Sequence, residues 1–100
     1  MKITSEQNKE TMTLHLEGRL DTITAPELEK AIAALPPEVV VLVLDMKEIT
    51  YVSSAGLRVL LGAQKKMNAC GSMRLTGVCD SVMEVLEMTG FADILTIELQ

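Results

Sequence analysis

Two adjacent serines stand where an apolar run gives way to an amphipathic helical pattern, and residues 51–58 read Y-V-S-S-A-G-L-R. Serine is a preferred N-cap residue, so one hydroxyl of the pair Ser53 and Ser54 has a purely structural explanation. The second hydroxyl is not needed for capping. Backbone N–H groups at a helix N-terminus favour anions, so a phosphate on Ser54 would be well accommodated. The pattern therefore indicates a helix cap beside a hydroxyl that another protein could modify.

Gly56 allows two interpretations of the same junction. Glycine in a first helical turn costs about 0.5–1 kcal/mol relative to alanine, so something should compensate. Gly56 either admits the close approach of a neighbouring strand or, with Ala55, leaves the hydroxyl of Ser54 open to a partner's active site. The junction also follows a predicted central strand. In open α/β sheets, the carboxyl ends of strands are where ligands and partners usually bind.

The residue types do not support other chemistry. His15 is the one histidine, and the two cysteines, Cys70 and Cys79, are distant from it in the sequence. One histidine and two distant cysteines do not make a zinc site. The chain has neither a phosphate-binding glycine loop nor the G-x-S-x-G elbow of hydrolases. Three acidic residues are interpreted as solvated loop carboxylates: Asp21, Asp45 and Glu48. We therefore expect no metal, no cofactor and no enzymatic activity.

Composition limits the partners and the location. The 100 residues suit a single domain, residues 1–100, with a net charge of −5, one tyrosine and one phenylalanine. An acidic chain with few aromatic side chains is a poor match to nucleic acids and anionic membranes. No apolar run is long enough to insert across a bilayer. Because residues 1–10 lack an apolar leader, we expect a cytoplasmic protein whose cysteines are reduced and packed.

Hydrophobic periodicity predicts an initial hairpin followed by alternating helices and strands. The predicted strands are residues 2–7, 11–17, 39–44 and 73–77, with residues 94–99 a short closing strand or a last turn of helix. The run 39–44 is apolar on both faces, which is typical of a central strand covered on both sides. Residues 45–51 are predicted to be a connector. This order favours right-handed crossovers and a largely parallel or mixed α/β sheet.

Capping patterns predict where the helices begin and end. Thr24–Glu27 and Ser81–Glu84 have the capping-box form, in which a hydroxyl residue is followed three positions later by glutamate. The middle helix is predicted to begin near Ser54 and to end at Gly71, and the last helix to end at Gly90. Each predicted helix carries one apolar stripe, which we expect to face the sheet.

Three parts of the sequence resemble one known family. Residues 44–61, L-D-M-K-E-I-T-Y-V-S-S-A-G-L-R-V-L-L, are similar to the signature of the STAS domain, as found in bacterial anti-sigma-factor antagonists. G-R-L-D-T at residues 18–22 resembles the family's Gly-x-Leu-Asp turn, and residues 73–78 with 82–91 resemble its last strand and helix. The resemblance implies an α/β fold, a single STAS-like domain with a four- or five-stranded mixed sheet and helices mainly on one side.

The resemblance also implies a function without catalysis. Such a protein binds and sequesters a cognate anti-sigma-factor serine kinase, and a sigma factor is thereby released. The kinase phosphorylates Ser54, with Ser53 as the alternate acceptor, and a phosphatase reverses the modification. Asp21 matches the turn aspartate that lies near the phosphorylated serine. The implied partner-binding residues are Asp21, Thr22, Ser53, Ser54, Ala55, Gly56, Leu57 and Arg58.

Two further hypotheses stay open at this point. A STAS domain can be the regulatory subunit of a membrane transporter, such as a lipid-trafficking ABC system, and Ser54 would then only cap a helix. A small enzyme is the weaker alternative, because the sequence does not assemble a nucleophile, a base and an orienting residue. An adjacent kinase and sigma-factor gene, or an adjacent permease gene, would separate the antagonist from the transporter subunit.

Overall fold

The chain begins with an antiparallel hairpin. The computed structural model describes residues 1–98, with β1 at Lys2–Asn8 and β2 at Thr11–Leu20. The hairpin turn holds Lys9 at φ 59°, in the left-handed region that tight turns use. β2 alternates as predicted, and its inward side chains are buried: Met12, Leu14 and Leu16. The predicted hairpin is confirmed, and β2 continues three residues beyond its predicted end at Glu17.

Helices and strands alternate through the rest of the chain. The elements are α1 at Ala25–Ala33, β3 at Val41–Val52, α2 at Ser54–Cys70, β4 at Ser72–Thr76, α3 at Asp80–Met88 and a 3-10 turn at Phe91–Asp93. Over residues 1–98 the strands form one four-stranded sheet in the order β1-β2-β3-β4. β1 pairs antiparallel to β2, and the other pairs are parallel. The predicted mixed α/β sheet is confirmed.

β3 is longer than the sequence pattern indicated. Residues 45–51, predicted to be a connector, belong to β3 and pair with β2 up to Val52. The register shifts twice along this pairing, so β3 carries an extra residue at each shift. Met46 and Ile49 are both buried although they lie three positions apart. Strict alternation is lost at these bulges, which is why periodicity did not reveal the strand.

The helices pack on one face of the sheet. Their buried side chains belong to the same core as the inward side chains of β2, β3 and β4: Leu28, Ile32, Leu60, Met67, Val82, Leu86, Leu14, Leu42, Leu44, Met73 and Leu75. Val43 points to the other face, where it is buried but lies outside this core. The prediction of helices mainly on one side is therefore confirmed. The expectation that residues 39–44 are covered on both sides holds at Val43, which is buried on the face where the three helices do not pack.

Polar side chains occupy the face that the helices leave open. Asp45 and Glu48 lie in β3, so their interpretation as loop carboxylates is wrong. The side chain of Asp45 is 13% exposed, and its Oδ2 lies 2.8 Å from Nδ1 of His15 on β2. Burial alone would raise the pKa of Asp45. The contact with His15 and a hydrogen bond from the Lys47 backbone N–H outweigh it and hold this pKa below its usual value.

The helix ends differ from the predicted capping boxes. Thr24 precedes α1 as its N-cap, but its side chain makes no capping bond, because its Oγ1 accepts from the Asp21 N–H at 2.9 Å and not from the first turn of α1. α3 begins at Asp80 with Cys79 as its N-cap, so Ser81 lies inside the helix. Gly90 adopts the left-handed conformation expected after a helix, with φ 81°. The predicted position of Thr24 as the N-cap of α1 is confirmed although its capping-box bond is absent, the capping box predicted at Ser81 is wrong, and the predicted end at Gly90 is confirmed.

Gly71 ends α2 as predicted, for a reason that the sequence did not indicate. A side chain at this position would overlap the Val40 carbonyl oxygen, so glycine is required by close packing. The neighbouring Cys70 is exposed, which corrects the expectation that the cysteines are packed, while Cys79 is partly buried. Both cysteines are free thiols in the structure.

The described chain ends beside β4. Ile97 forms a parallel bridge with Leu75. The Leu75 N–H donates to the Thr96 carbonyl at 2.9 Å, and the Glu98 N–H donates to the Leu75 carbonyl at 2.9 Å. Both structures predicted for residues 94–99 are found in part: the N–H groups of Ile94 and Leu95 bond back to the Phe91 carbonyl in a last helical turn, and, as far as residue 98, the strand-like pairing is the single bridge at Ile97. Leu99 lies outside the described residues.

Candidate phosphoacceptor and partner-binding site

Ser53 caps the N-terminus of α2. Its backbone is extended, with φ −89° and ψ 174°, and its side-chain oxygen accepts a hydrogen bond from the Gly56 N–H at 3.2 Å. Its own N–H donates to the Leu20 carbonyl at 2.8 Å. The first bond caps α2, and the second attaches the start of α2 to the end of β2. The hydroxyl of Ser53 therefore has the structural role that the sequence assigned to one of the two serines.

Ser54 occupies the first position of α2 and is exposed. Within residues 1–98 its hydroxyl makes no hydrogen bond, in contrast to the hydroxyl of Ser53. As the first residue of α2, Ser54 lies beside backbone N–H groups of the first helical turn. These N–H groups have no acceptor within the helix. A hydroxyl in this setting is accessible to another protein, and an anion placed on it would be stabilised by the helix N-terminus.

Gly56 is explained by close packing against β2. A Cβ atom at this position would lie 2.7 Å from Leu20 Cγ and 2.8 Å from the Leu20 carbonyl oxygen. The interpretation that Gly56 admits a neighbouring strand is therefore confirmed. Leu57 is 6% exposed and belongs to the core, and Ala55 is half-buried. Gly56 and Leu57 thus seat α2 on the sheet, and they present little surface to a partner.

Asp21 organises the turn between β2 and α1. Its Oδ1 accepts hydrogen bonds from the backbone N–H groups of Ile23 and Thr24, each at 3.0 Å. The bond from the Thr24 N–H is the largest influence on its titration, and with the Ile23 N–H and the Arg19 charge it lowers the pKa of Asp21 below the usual value. The carboxylate stays ionised and faces the backbone of its own turn. Thr22, beside it, is exposed.

The structure brings the two predicted segments to one edge of the sheet. Leu20 pairs with Val52, and the next residues along the chain are Asp21 and Ser53. The Ser53 N–H bond to the Leu20 carbonyl crosses directly between the segments. This edge is the carboxyl end of the parallel strands, the usual location of binding sites in α/β sheets.

Arg58 lies further along α2, four residues after Ser54, and is exposed. Residues at this spacing are neighbours on a helix surface. Arg58 also lines the groove between α1 and α2, together with Glu29 and Lys66. Lys66 donates from Nζ to the Ile32 carbonyl at 2.9 Å and so bridges the two helices. Arg58 is therefore placed to contact a partner that covers Ser54.

Three residues at this edge were not indicated by the sequence patterns. The Arg19 guanidinium lies over the Tyr51 ring, 4.3 Å from its centroid, and Arg19 Nε lies 3.9 Å from Asp21 Oδ2. Ile23 is 84% exposed on the adjacent turn. The signal available in the sequence was weak. Tyr51 is the chain's one tyrosine, and Ile23 is an isolated aliphatic residue among polar turn residues.

Residues 1–98 contain no group of three or more His, Cys, Asp or Glu side chains arranged to hold a metal ion. Among the same residues, no helix combines the length and the apolar character needed to cross a membrane.

The chain is similar to known proteins along nearly its whole length. The family model described as STAS domain matches residues 2–100. The anti-sigma-B factor antagonist of Listeria monocytogenes is 32% identical over 95 residues, covering 93% of this chain and 83% of that protein. An anti-sigma factor antagonist from Mycobacterium paratuberculosis superposes with a TM-score of 0.87 at 21% identity, covering 99% of this chain and 86% of that one. The Bacillus cell fate determinant SpoIIAA in its phosphorylated form superposes with a TM-score of 0.75 at 17% identity, covering 99% and 93%.

Proposed function

Because this chain belongs to the STAS domain family, we propose that it acts as an anti-sigma factor antagonist controlled at Ser54. Its partner is an anti-sigma-factor serine kinase, which docks on the edge formed by the Asp21 turn and the start of α2. Binding sequesters the kinase and releases a sigma factor. The same kinase phosphorylates Ser54, and a phosphatase restores the hydroxyl. The relatives named as anti-sigma factor antagonists support this function.

The observation that carries the proposal is that the hydroxyl groups of the two serines have different surroundings. Ser53 uses its hydroxyl to cap α2, whereas Ser54 is exposed. A kinase must approach its acceptor hydroxyl closely, so an exposed hydroxyl without a structural bond is the better substrate. The similarity to SpoIIAA in its phosphorylated form is consistent with a STAS fold that tolerates phosphate.

A phosphate at this position affects binding far more than folding. It adds about −1.5 to −2 charges at neutral pH. At the N-terminus of α2 such a charge is stabilising by up to about 2 kcal/mol, so the domain stays folded. In a docked interface the same charge would be desolvated against a surface that fits a hydroxyl, at a cost of several kcal/mol. Each ~1.4 kcal/mol weakens binding tenfold, so phosphorylation releases the partner.

Phosphosite mapping tests the acceptor. Candidate anti-sigma-factor kinases from the source organism are incubated with ATP and with the wild-type chain, Ser54→Ala or Ser53→Ala. Mass spectrometry should find phosphate on Ser54 of the wild-type chain and of Ser53→Ala, and none on Ser54→Ala. Phosphate retained on Ser54→Ala would move the acceptor to Ser53. A chain left unmodified by every candidate would contradict the proposal and favour the transporter-subunit hypothesis.

A further inference from the structure

An exposed apolar side chain lies on the turn between β2 and α1. Ile23 is 84% exposed at the turn after β2, and Tyr51 is 43% exposed near the end of β3. Arg19 lies between Tyr51 and the turn that carries Ile23, since its guanidinium stacks on Tyr51 and its Nε lies 3.9 Å from Asp21 Oδ2. We refer to Ile23, Arg19 and Tyr51 as the Ile23 patch. Single exposed aliphatic residues are common, so the geometry around Ile23 decides whether this one matters.

The turn holds Ile23 in a fixed position. The Ile23 N–H and the Thr24 N–H both donate to Asp21 Oδ1, and the Thr24 hydroxyl donates to the Arg19 carbonyl at 2.6 Å. The Asp21 N–H donates in turn to Thr24 Oγ1 at 2.9 Å. The apolar side chain is thus displayed on a hydrogen-bonded turn, which has little conformational freedom left to lose. Preorganisation of this kind favours tight binding.

Arg19 and Tyr51 extend the patch across the two strands. They are paired in register on β2 and β3, with the guanidinium 4.3 Å from the ring centroid. Tyrosine and arginine are enriched among the residues that dominate binding energy at protein interfaces. The Arg19 side chain is 62% exposed, so it presents a positive charge on the surface of a chain whose net charge is −5. A partner that covers this pair would gain from acidic groups opposite Arg19.

The Ile23 patch is continuous with the start of α2. Leu20 and Val52 pair immediately beside Arg19 and Tyr51, and the Ser53 N–H bonds to the Leu20 carbonyl. Thr22, next to Ile23, lines one shallow cavity with Ala55 and Arg58 of α2, so a protein that covers the start of α2 also meets the turn that carries Ile23. We propose that the kinase of the proposed function, on which this inference rests, seats Ile23 in an apolar socket flanked by acidic groups that face Arg19.

The affinity for the kinase and the control of binding thus come from different residues. The Ile23 patch supplies binding energy by burying an apolar side chain, and the Ser54 hydroxyl decides whether the surfaces can close. Asp21 is then a positioning residue, because its carboxylate holds the turn that displays Ile23. Asp21→Asn keeps an oxygen that accepts the same two N–H bonds, whereas Asp21→Ala does not. Binding should survive Asp21→Asn and weaken in Asp21→Ala.

The affinity of a purified kinase tests the patch directly. The probe is the candidate kinase that phosphorylates the wild-type chain, and its Kd is measured for the wild type, Ile23→Ser, Ile23→Val and Met88→Ser. Met88 is the matched control, since it is 79% exposed and lies on α3, away from the turn. We expect Ile23→Ser to weaken binding by about tenfold or more, with the other two variants within about twofold of the wild type.

The possible outcomes separate this inference from the proposed function. Wild-type affinity in Ile23→Ser, or an equal loss in Met88→Ser, would overturn the apolar socket and leave the function of Ser54 standing. A loss in Asp21→Asn as large as that in Asp21→Ala would show that the Asp21 charge itself contacts the partner, and would overturn the positioning role. If no candidate kinase binds the wild-type chain, both proposals fail. Thermal unfolding checks that each variant is folded.

Discussion

At the scale of single residues, adjacent hydroxyls acquire different chemistry from their places in the helix. Ser53 has an extended backbone and turns its oxygen back toward the Gly56 N–H. Ser54 begins the helical backbone and is exposed. One position along the chain thus separates a structural hydroxyl from an accessible one. The difference follows from N-cap geometry, in which only the residue before the helix can bond the N–H groups of the first turn.

Stability measurements should distinguish the two serines without any partner. Ser53→Ala removes the acceptor for the Gly56 N–H, so the free energy of unfolding should fall by about 1 kcal/mol. Ser54→Ala removes an exposed hydroxyl, and its effect should stay within about 0.5 kcal/mol. Urea unfolding of the wild type and both variants measures the difference. A larger loss for Ser54→Ala than for Ser53→Ala would contradict the assigned roles.

Asp45 makes a contribution to the stability of the fold that is lost in acid. Its pKa is lowered in the folded state, because the His15 contact and the Lys47 N–H bond outweigh burial, which alone would raise it. A lowered pKa stabilises the fold above the unfolded value of 3.8, and that stabilisation is lost as pH falls through the folded value. Urea unfolding between about pH 5 and pH 2 should show a shallower loss for Asp45→Asn than for the wild type. Asp21, whose pKa is also lowered, remains in both proteins and makes the flattening partial.

The same loss of stability in the wild type and Asp45→Asn would contradict this role of Asp45.

At the scale of elements, the junction depends on how closely α2 approaches β2. Gly56 makes that approach possible, and a methyl group there would collide with Leu20. Gly62 lies in the same helix, and in residues 1–98 no atom outside its own stretch of helix backbone lies within 4 Å of the corresponding position. The two glycines therefore have opposite roles, although the sequence shows only two glycines six residues apart.

Alanine substitutions should act in opposite directions at these two glycines. Gly56→Ala forces α2 away from Leu20 and should lower the free energy of unfolding by about 1–3 kcal/mol, with weaker partner binding. Gly62→Ala fits without a clash and should raise it by about 0.5–1 kcal/mol, because alanine is the better helix former. Urea unfolding measures both changes. A neutral Gly56→Ala would show that the close approach is not required.

The elements also show which features the sequence could predict. Periodicity predicted the hairpin, the helices and the mixed sheet, because each of them buries one regular apolar face. It did not predict the second half of β3, because bulges place Met46 and Ile49 on the same buried face at a spacing of three. The capping box at Thr24 is not formed, because the Thr24 Oγ1 accepts from the Asp21 N–H in the preceding turn and not from the first turn of α1.

The candidate site was predictable to a similar extent. A hydroxyl at the start of α2 follows from local residue types, and the pairing of Leu20 with Val52 brings it to the Asp21 turn. The Ile23 patch follows from neither periodicity nor motif. Its exposure depends on how the Asp21 carboxylate folds the turn, which is a matter of three-dimensional hydrogen bonding.

At the scale of the whole molecule, the core and the proposed switch are separate. The core lies between the sheet and the helices that cover one face, while Ser54 lies at the edge of that sandwich and is exposed. A phosphate there leaves the core unchanged. It would add negative charge opposite the acidic groups that we propose to face Arg19, so repulsion would add to the cost of desolvation. Folding and binding should therefore respond differently to one modification.

The most direct measurement compares the kinase affinity of the unmodified chain with that of the chain phosphorylated on Ser54, alongside urea unfolding of both. We predict that phosphorylation weakens binding by about 100-fold or more. The free energy of unfolding should stay unchanged or rise by up to about 2 kcal/mol. Equal affinity of the two forms, with both fully folded, would contradict the claim that this hydroxyl controls the partner.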